Sequence, residues 1–173
     1  MKIKIKRKKT IAEAAKKPED IPQGYLITMK TEGSEWARWD IVKGNERYYE
    51  KAFSPDATYG HIDIGKVDPD RYGSCLNAWM VRMSDAAKGF GPMLYDIAME
   101  YATESGSGLI ADRGGVTTAA QKVWEKYLKR DDVEAVQLDD CQQSDIDALN
   151  KMYKKPSTGI IQKLEEEGKL IRV

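Results

Sequence analysis

The stretch from Leu76 to Leu94, LNAWMVRMSDAAKGFGPML, narrows the possible folds more than any other part of the chain. Leu76 to Met83 is an apolar run with Trp79 and Val81 on one parity and Ala78 and Met80 on the other. A strand buried on both faces reads this way. A short polar loop follows and ends in Lys88-Gly89-Phe90-Gly91-Pro92. Met93, Leu94, Ile97, Ala98, Tyr101 and Ala102 then recur at helical spacing, and Pro92 suits the first helical position, where its missing N–H costs nothing. Two glycines and a lysine therefore stand between a strand and the N-terminus of a helix. Backbone N–H groups and the positive end of the helix dipole can hold a phosphate there. The same Gly-x-Gly also reads as a tight strand-to-helix turn that needs glycine for backbone reasons alone.

Two phosphate loops are excluded. A P-loop ends in Gly-Lys-Ser/Thr, but Gly91 is followed by Pro92 and Met93. A dinucleotide fingerprint needs a third glycine where Leu94 stands, and no repeated strand-helix-strand pattern precedes the loop.

Ala86-Ala87-Lys88-Gly89-Phe90-Gly91 instead resembles the acyl-CoA pyrophosphate loop of the GNAT superfamily of N-acetyltransferases, Gln/Arg-x-x-Gly-x-Gly/Ala, with Ala86 in the first position. Downstream, Gly108 to Asp112 reads as a strand and Thr117 to Tyr127 as a helix. That helix resembles the family pattern Asn-x-x-Ala-x-x-x-Tyr, with Thr117, Ala120 and Trp124 at the marked positions. The second half is also similar to acetyltransferase-like proteins of tailed phages. The resemblance covers residues 75 to 138. It implies an α/β fold with a GNAT-like mixed, mostly antiparallel sheet of six or seven strands and helices on both faces. It also implies acetyl-CoA as cofactor, held by Val81, Met83, Lys88, Gly89, Phe90, Gly91 and Pro92, and an acetyl group passed to an amine acceptor. Asp112, at the end of its strand, is a candidate base; it reads equally as a loop cap or a partner of Arg113. Tyr127, three residues past Trp124 with nearly the same facing, is a candidate acid in place of the family tyrosine. Tyr95 reads as core. Ala86, Thr117 and Trp124 each replace a residue the family uses, and a fold can outlive its chemistry. A non-catalytic structural or regulatory protein on the same fold is therefore the alternative expectation.

With 173 residues the chain is long enough for one domain with a substantial core. Two cysteines and one histidine argue against a structural zinc site, and a reducing, cytoplasmic compartment is expected, whether of a cell, a phage host or inside a virion. No apolar run is long enough to span a bilayer, so no membrane partner is expected. The net charge of zero conceals an asymmetry: residues 1–17 carry eight of the 28 basic residues and one of the 28 acidic ones, Glu13. In this basic arm Ile3 and Ile5 alternate with Lys2, Lys4 and Lys6, and Lys2 to Lys9 could meet a nucleic acid or an acidic partner. An edge strand whose lysines prevent sheet-to-sheet pairing reads the same way. Oligomeric state is not legible.

Along the rest of the chain, a short helix is expected over 11–17 and strands over Tyr25–Lys30, Glu35–Val42, Gly60–Val67, Leu109–Asp112, Val133–Leu138 and Leu170–Val173. Glu46–Phe53 is expected to pair back on Glu35–Val42 across Lys43-Gly44-Asn45. Trp36, Trp39, Tyr48 and Tyr49 load that hairpin as core or as an acceptor wall. His61 is either a catalytic base or a surface residue. Helices are expected from Ser144 through Met152 and over Thr158–Glu167, so residues 142–173 form a helical extension.

Overall fold

The computed structural model describes residues 18–21, 23–43, 58–68, 77–86, 89–138, 143–155 and 159–173. The basic arm, Glu46–Phe53 and Lys88 lie outside these residues. A 3-10 turn at Pro18–Asp20 leads into strands β1 (Tyr25–Glu32) and β2 (Trp36–Lys43). Then follow β3 (Thr58–Lys66), β4 (Trp79–Ala86), helix α1 (Phe90–Ser105), β5 (Leu109–Ile110), helix α2 (Thr118–Tyr127) and β6 (Glu134–Gln137). The chain closes with a 3-10 turn at Asp147–Asn150, β7 (Lys151–Lys154), helix α3 (Ile160–Glu166) and β8 (Leu170–Arg172). The fold is α/β with an open mixed sheet.

The sheet has eight strands in the order β6-β7-β5-β4-β3-β2-β1-β8, so the expected count of six or seven is too low. Pairing is antiparallel except where β4 meets β5 and β1 meets β8. β1 and β2 form a hairpin across Gly33, whose φ of 55° suits a residue without Cβ. β2 pairs along its other edge with β3, from Trp36↔Gly65 to Val42↔Thr58. Both edges of β2 are thus filled by β1 and β3, while the expected partner segment, Glu46–Phe53, lies outside the described residues.

The largest departure from expectation lies near the C-terminus. Ile146, Leu149 and Met152 have helical spacing, yet the chain makes one 3-10 turn and then enters β7. A 3-10 turn stacks residues i and i+3, so Ile146 and Leu149 still share a side. Asn150 closes the turn: its Nδ2 donates to the Ser144 carbonyl at 2.7 Å and its Oδ1 accepts from Ser144 N–H at 2.8 Å. Beyond it the period becomes two. Tyr153 packs on one face of the sheet and Met152 on the other. The helix expected over Thr158–Glu167 is present as α3, but the one expected from Ser144 is replaced by the 3-10 turn and by β7, which lies inside the sheet between β5 and β6.

The core is built on the face that alternates Ile27, Trp39, Ile62, Ile64, Trp79 and Leu109. α1 lies across it with Met93, Ile97 and Ala98, and Tyr101 fits edge-on between Trp39 and Trp79, with ring centroids 5.2 and 5.4 Å away. Trp124 and Tyr127 of α2 and Leu164 of α3 join the same cluster. Among the described residues all three helices thus pack into the cluster on one face, and helices on both faces are not seen. The second face carries a smaller apolar cluster around Val67, Met80, Ile110 and Met152. Burying each large side chain contributes about 1.5–3 kcal/mol, so the helix-covered face dominates stability.

Candidate functional site

β4 and β5 share only two register positions, Trp79↔Leu109 and Met80↔Ile110. β5 ends there, and the chain turns away through Asp112 to Gly115 into α2. Among the described residues β4 has no strand partner on that side from Val81 onward, so its backbone polar groups face a gap. The β3–β4 register also slips, from Ile64↔Val81 to Asp63↔Met83, leaving Arg82 as an extra residue on β4. Such a bulge bends a strand and re-aims its side chains. Val81 is 8% exposed and Met83, two residues on, is 59% exposed.

Two neighbouring cavities lie along the gap. The inner one, about 200 Å³, is lined by Val81 to Ser84 of β4, Tyr95 of α1, Asp112 and Trp124, among others. The outer one, about 440 Å³, adds Asp85, Ala86, Gly91 and His61. Ser84, Tyr95, Thr117 and Ala120 line both.

The helix beside the outer cavity begins at Phe90, two residues before the expected Pro92. Gly89 caps it with φ 91° and no side-chain hydrogen bond. Pro92 becomes the third helical residue, still within the first turn, where a missing N–H breaks no helical hydrogen bond. The N–H group of Gly91, in the first turn, has no intrahelical acceptor. A Cβ built at Gly91 would meet nothing closer than Ala86 Cβ at 3.9 Å, so the glycine leaves the cavity open. The Phe90 side chain is buried in the core and lines neither cavity. Pro92 turns the other way: it lines a small hollow with Tyr127 and Arg130.

Of the candidate base and acid, one reaches the cleft. Asp112 lines the inner cavity, and its Oδ1 also accepts from Gly114 N–H at 3.1 Å, closing the β5–α2 loop. Tyr127 is buried on the far side of α2. Its hydroxyl donates to Asp96 Oδ1 at 2.6 Å and lies 3.2 Å from the Pro92 carbonyl. Burial and the Asp96 charge push this phenol well above the usual tyrosine range. The reason is helical geometry: three residues turn a side chain about 60° from its starting direction, enough to carry it past the cleft wall that Trp124 forms. Thr117 caps α2, its Oγ1 accepting from Ala120 N–H at 3.2 Å.

From its spacing in α1, Tyr95 is expected to be core alone. It is 4% exposed and its ring packs edge-on against Trp124 at 5.5 Å, but its hydroxyl shares a 2.9 Å hydrogen bond with Ser84 Oγ on β4. Burial raises this phenol and the Ser84 hydrogen bond opposes the shift. No local pattern marks such a pair, because Tyr95 sits among the apolar positions of α1. His61 borders the outer cavity, directly opposite Asp85 of β4 and Asp40 of β2 in register.

Among the described residues no group of three or more His, Cys, Asp or Glu is placed to hold a metal. No described helix is long and apolar enough to cross a membrane. No family model, curated protein or solved structure matches the chain.

Proposed function

We propose that the protein is an acyl-CoA-dependent N-acyltransferase that passes an acetyl group to an amine. The observation that carries this reading is the opened sheet: β4 parts from β5 after two pairs, and the gap runs to a glycine-capped helix N-terminus. This arrangement suits a long, extended ligand with a phosphate at one end and a reactive carbonyl at the other. It also agrees with the GNAT resemblance of the Gly-x-Gly loop, which the residues support at Val81, Gly89 and Gly91.

When bound, an acyl-CoA supplies an acyl group activated as a thioester. The Gly91 N–H group, at the positive end of the α1 dipole, offers a donor to its phosphates. The uncovered edge of β4 beyond Met80 offers backbone groups to an extended chain, as an added strand would use them. In this reading a backbone N–H near the Arg82 bulge polarises the thioester carbonyl in the inner cavity. Trp124 and Tyr95 wall that cavity against water on the helix side.

Calorimetric titration with acetyl-CoA tests the reading, beside Gly91→Trp, whose indole would fill the outer cavity without straining the backbone. The expected result is micromolar binding to the wild type and at least a hundredfold loss in the variant, about 3 kcal/mol. No binding to the wild type at millimolar acetyl-CoA would leave the loop a structural turn.

A further inference from the structure

We infer that the sheet face turned away from the helices, where β2, β3 and β4 meet, binds the acceptor, and that this acceptor is a di- or polyamine; the inference rests on the acyltransferase reading. Strand register places the groups. Asp63 of β3 stands between Arg38 of β2 and Met83 of β4. His61 stands between Asp40 of β2 and Asp85 of β4. Side chains alternate across a strand, and Ile62 and Ile64 belong to the helix-covered cluster, so His61 and Asp63 share the opposite face. Among the described residues no helix covers that face. Met83 lines the inner cavity and His61 and Asp85 line the outer one, so the face borders the cleft.

Positive charge is short here. Arg38 is committed to Asp40, its Nε donating to Oδ2 at 2.9 Å and its Nη2 to Oδ1 at 3.0 Å. Its approach to Asp63 is longer, 3.8 Å from Nη1 to Oδ2. Asp63 is 8% exposed, and its Oδ1 is buried and receives no hydrogen bond. A buried carboxylate oxygen without a donor is costly, and native folds leave few. Arg82 does not supply the donor: its guanidinium lies across Gly65, and its Nη2 is 3.5 Å from the Lys66 carbonyl. Lys30, opposite Arg38, stands one strand further from Asp63. The unmet oxygen calls for a cation that brings its own N–H. Asp63 and Asp85 are diagonal neighbours, about 7–8 Å apart. Met83 shares their face, directly opposite Asp63, and is 59% exposed. Two carboxylates with an apolar thioether beside them match ammonium groups joined by a methylene chain. Met83 is also long and unbranched, so it can turn to admit a ligand. An acceptor with two or more amino groups can keep one charged against these carboxylates while another enters the cleft.

Calorimetric titration with tetramethylenediamine, beside butylamine, tests the inference with no acyl donor present. The diamine is expected to bind about tenfold tighter than the monoamine, or better. Asp63→Asn keeps the shape and removes the charge. It should weaken the diamine about tenfold or more, since a charged hydrogen-bond partner is lost. Asp85→Asn, at an exposed position where folding is not at stake, should weaken it about two- to fivefold. Glu134→Gln, on β6 at the far edge of the sheet, should leave it unchanged. No diamine binding, or equal affinity for the two amines, would overturn the inference. So would diamine binding that neither aspartate variant weakens, or that Glu134→Gln weakens as much. With acetyl-CoA still bound by the wild type, any of these results leaves the acyltransferase reading standing. Diamine binding as expected in a protein that binds no acetyl-CoA would overturn that reading and keep the cation site.

Discussion

A single added methyl group separates two kinds of glycine in this protein. Gly33 turns the β1–β2 hairpin at φ 55° with open space where a Cβ would go. Gly108 precedes β5 at φ 140°, and there a Cβ would lie 2.6 Å from the Tyr153 carbonyl oxygen on β7 and 3.0 Å from Met152 Cγ. Gly33→Ala should cost only the left-handed backbone preference, about 1–2 kcal/mol. Gly108→Ala adds overpacking against a neighbouring backbone and should cost roughly 3–5 kcal/mol. Urea midpoints of the two variants check this; equal losses would mean that β7 yields easily. The close approach matters for the site, because Gly108 and Trp79 tie the base of the cleft together. Trp79 N–H donates to the Gly108 carbonyl at 2.9 Å, where β4 and β5 begin to run side by side.

At the scale of elements, the short helix α3 is held by a residue from another helix. Its N-cap, Gly159, supplies no side chain, and the Glu100 carboxylate of α1 accepts from the N–H groups of Ile160 and Ile161 at 3.3 and 3.4 Å. Glu100 is 1% exposed. A buried carboxylate needs such donors, and the positive end of α3 favours it. α3 in turn positions β8, which hydrogen-bonds to β1: Ile27 N–H reaches the Lys169 carbonyl at 2.7 Å. Glu100→Gln keeps the shape but weakens the cap, and should cost about 1–3 kcal/mol. Hydrogen exchange should locate the loss, with amides of α3 and β8 opening faster while β2 and β3 keep their protection. Uniform acceleration across the sheet would show that α3 does not depend on this contact.

The whole molecule is joined at Asp96. Its carboxylate receives the Tyr127 hydroxyl and Arg130 Nη1 at 2.7 Å, and pairs with Lys155 Nζ at 3.4 Å. One side chain of α1 thereby binds the end of α2 and the exit of β7, behind the cleft. Arg130 also pairs with Asp132, so two cations meet two anions. The buried phenols make this assembly sensitive to alkali. Tyr127 and Tyr153 are both held above the usual tyrosine range, first by burial and then by the charges of Asp96 and Asp147 respectively. As pH rises past about 10, the unfolded chain releases these protons and the folded chain keeps them. The unfolded state then binds fewer protons, so stability must fall with pH in that range. Urea unfolding from about pH 8 to 11 should show this decline, and Tyr127→Phe with Tyr153→Phe should flatten it. A decline equally steep in the double variant would place its origin elsewhere.

The strand, the Gly-x-Gly loop and helix α1 were legible in the sequence because each carries a local signature: two-sided apolar alternation, glycine at φ 91° and a period of 3.6. Helix α2 and helix α3 were legible from the same helical spacing. Four things were decided only by tertiary structure. β7 has a helix-like spacing but is drawn into the sheet because β5 and β6 each leave an edge that needs hydrogen bonds. β2 takes β1 and β3 as partners, a choice between edges that alternation cannot rank. Tyr127 and Tyr95 exchange the places expected of them, since which helix face meets the cleft depends on how α1 and α2 pack. The cleft itself has no sequence signal: it exists because β5 ends after two residues while β4 continues, and only pairing between distant segments determines that.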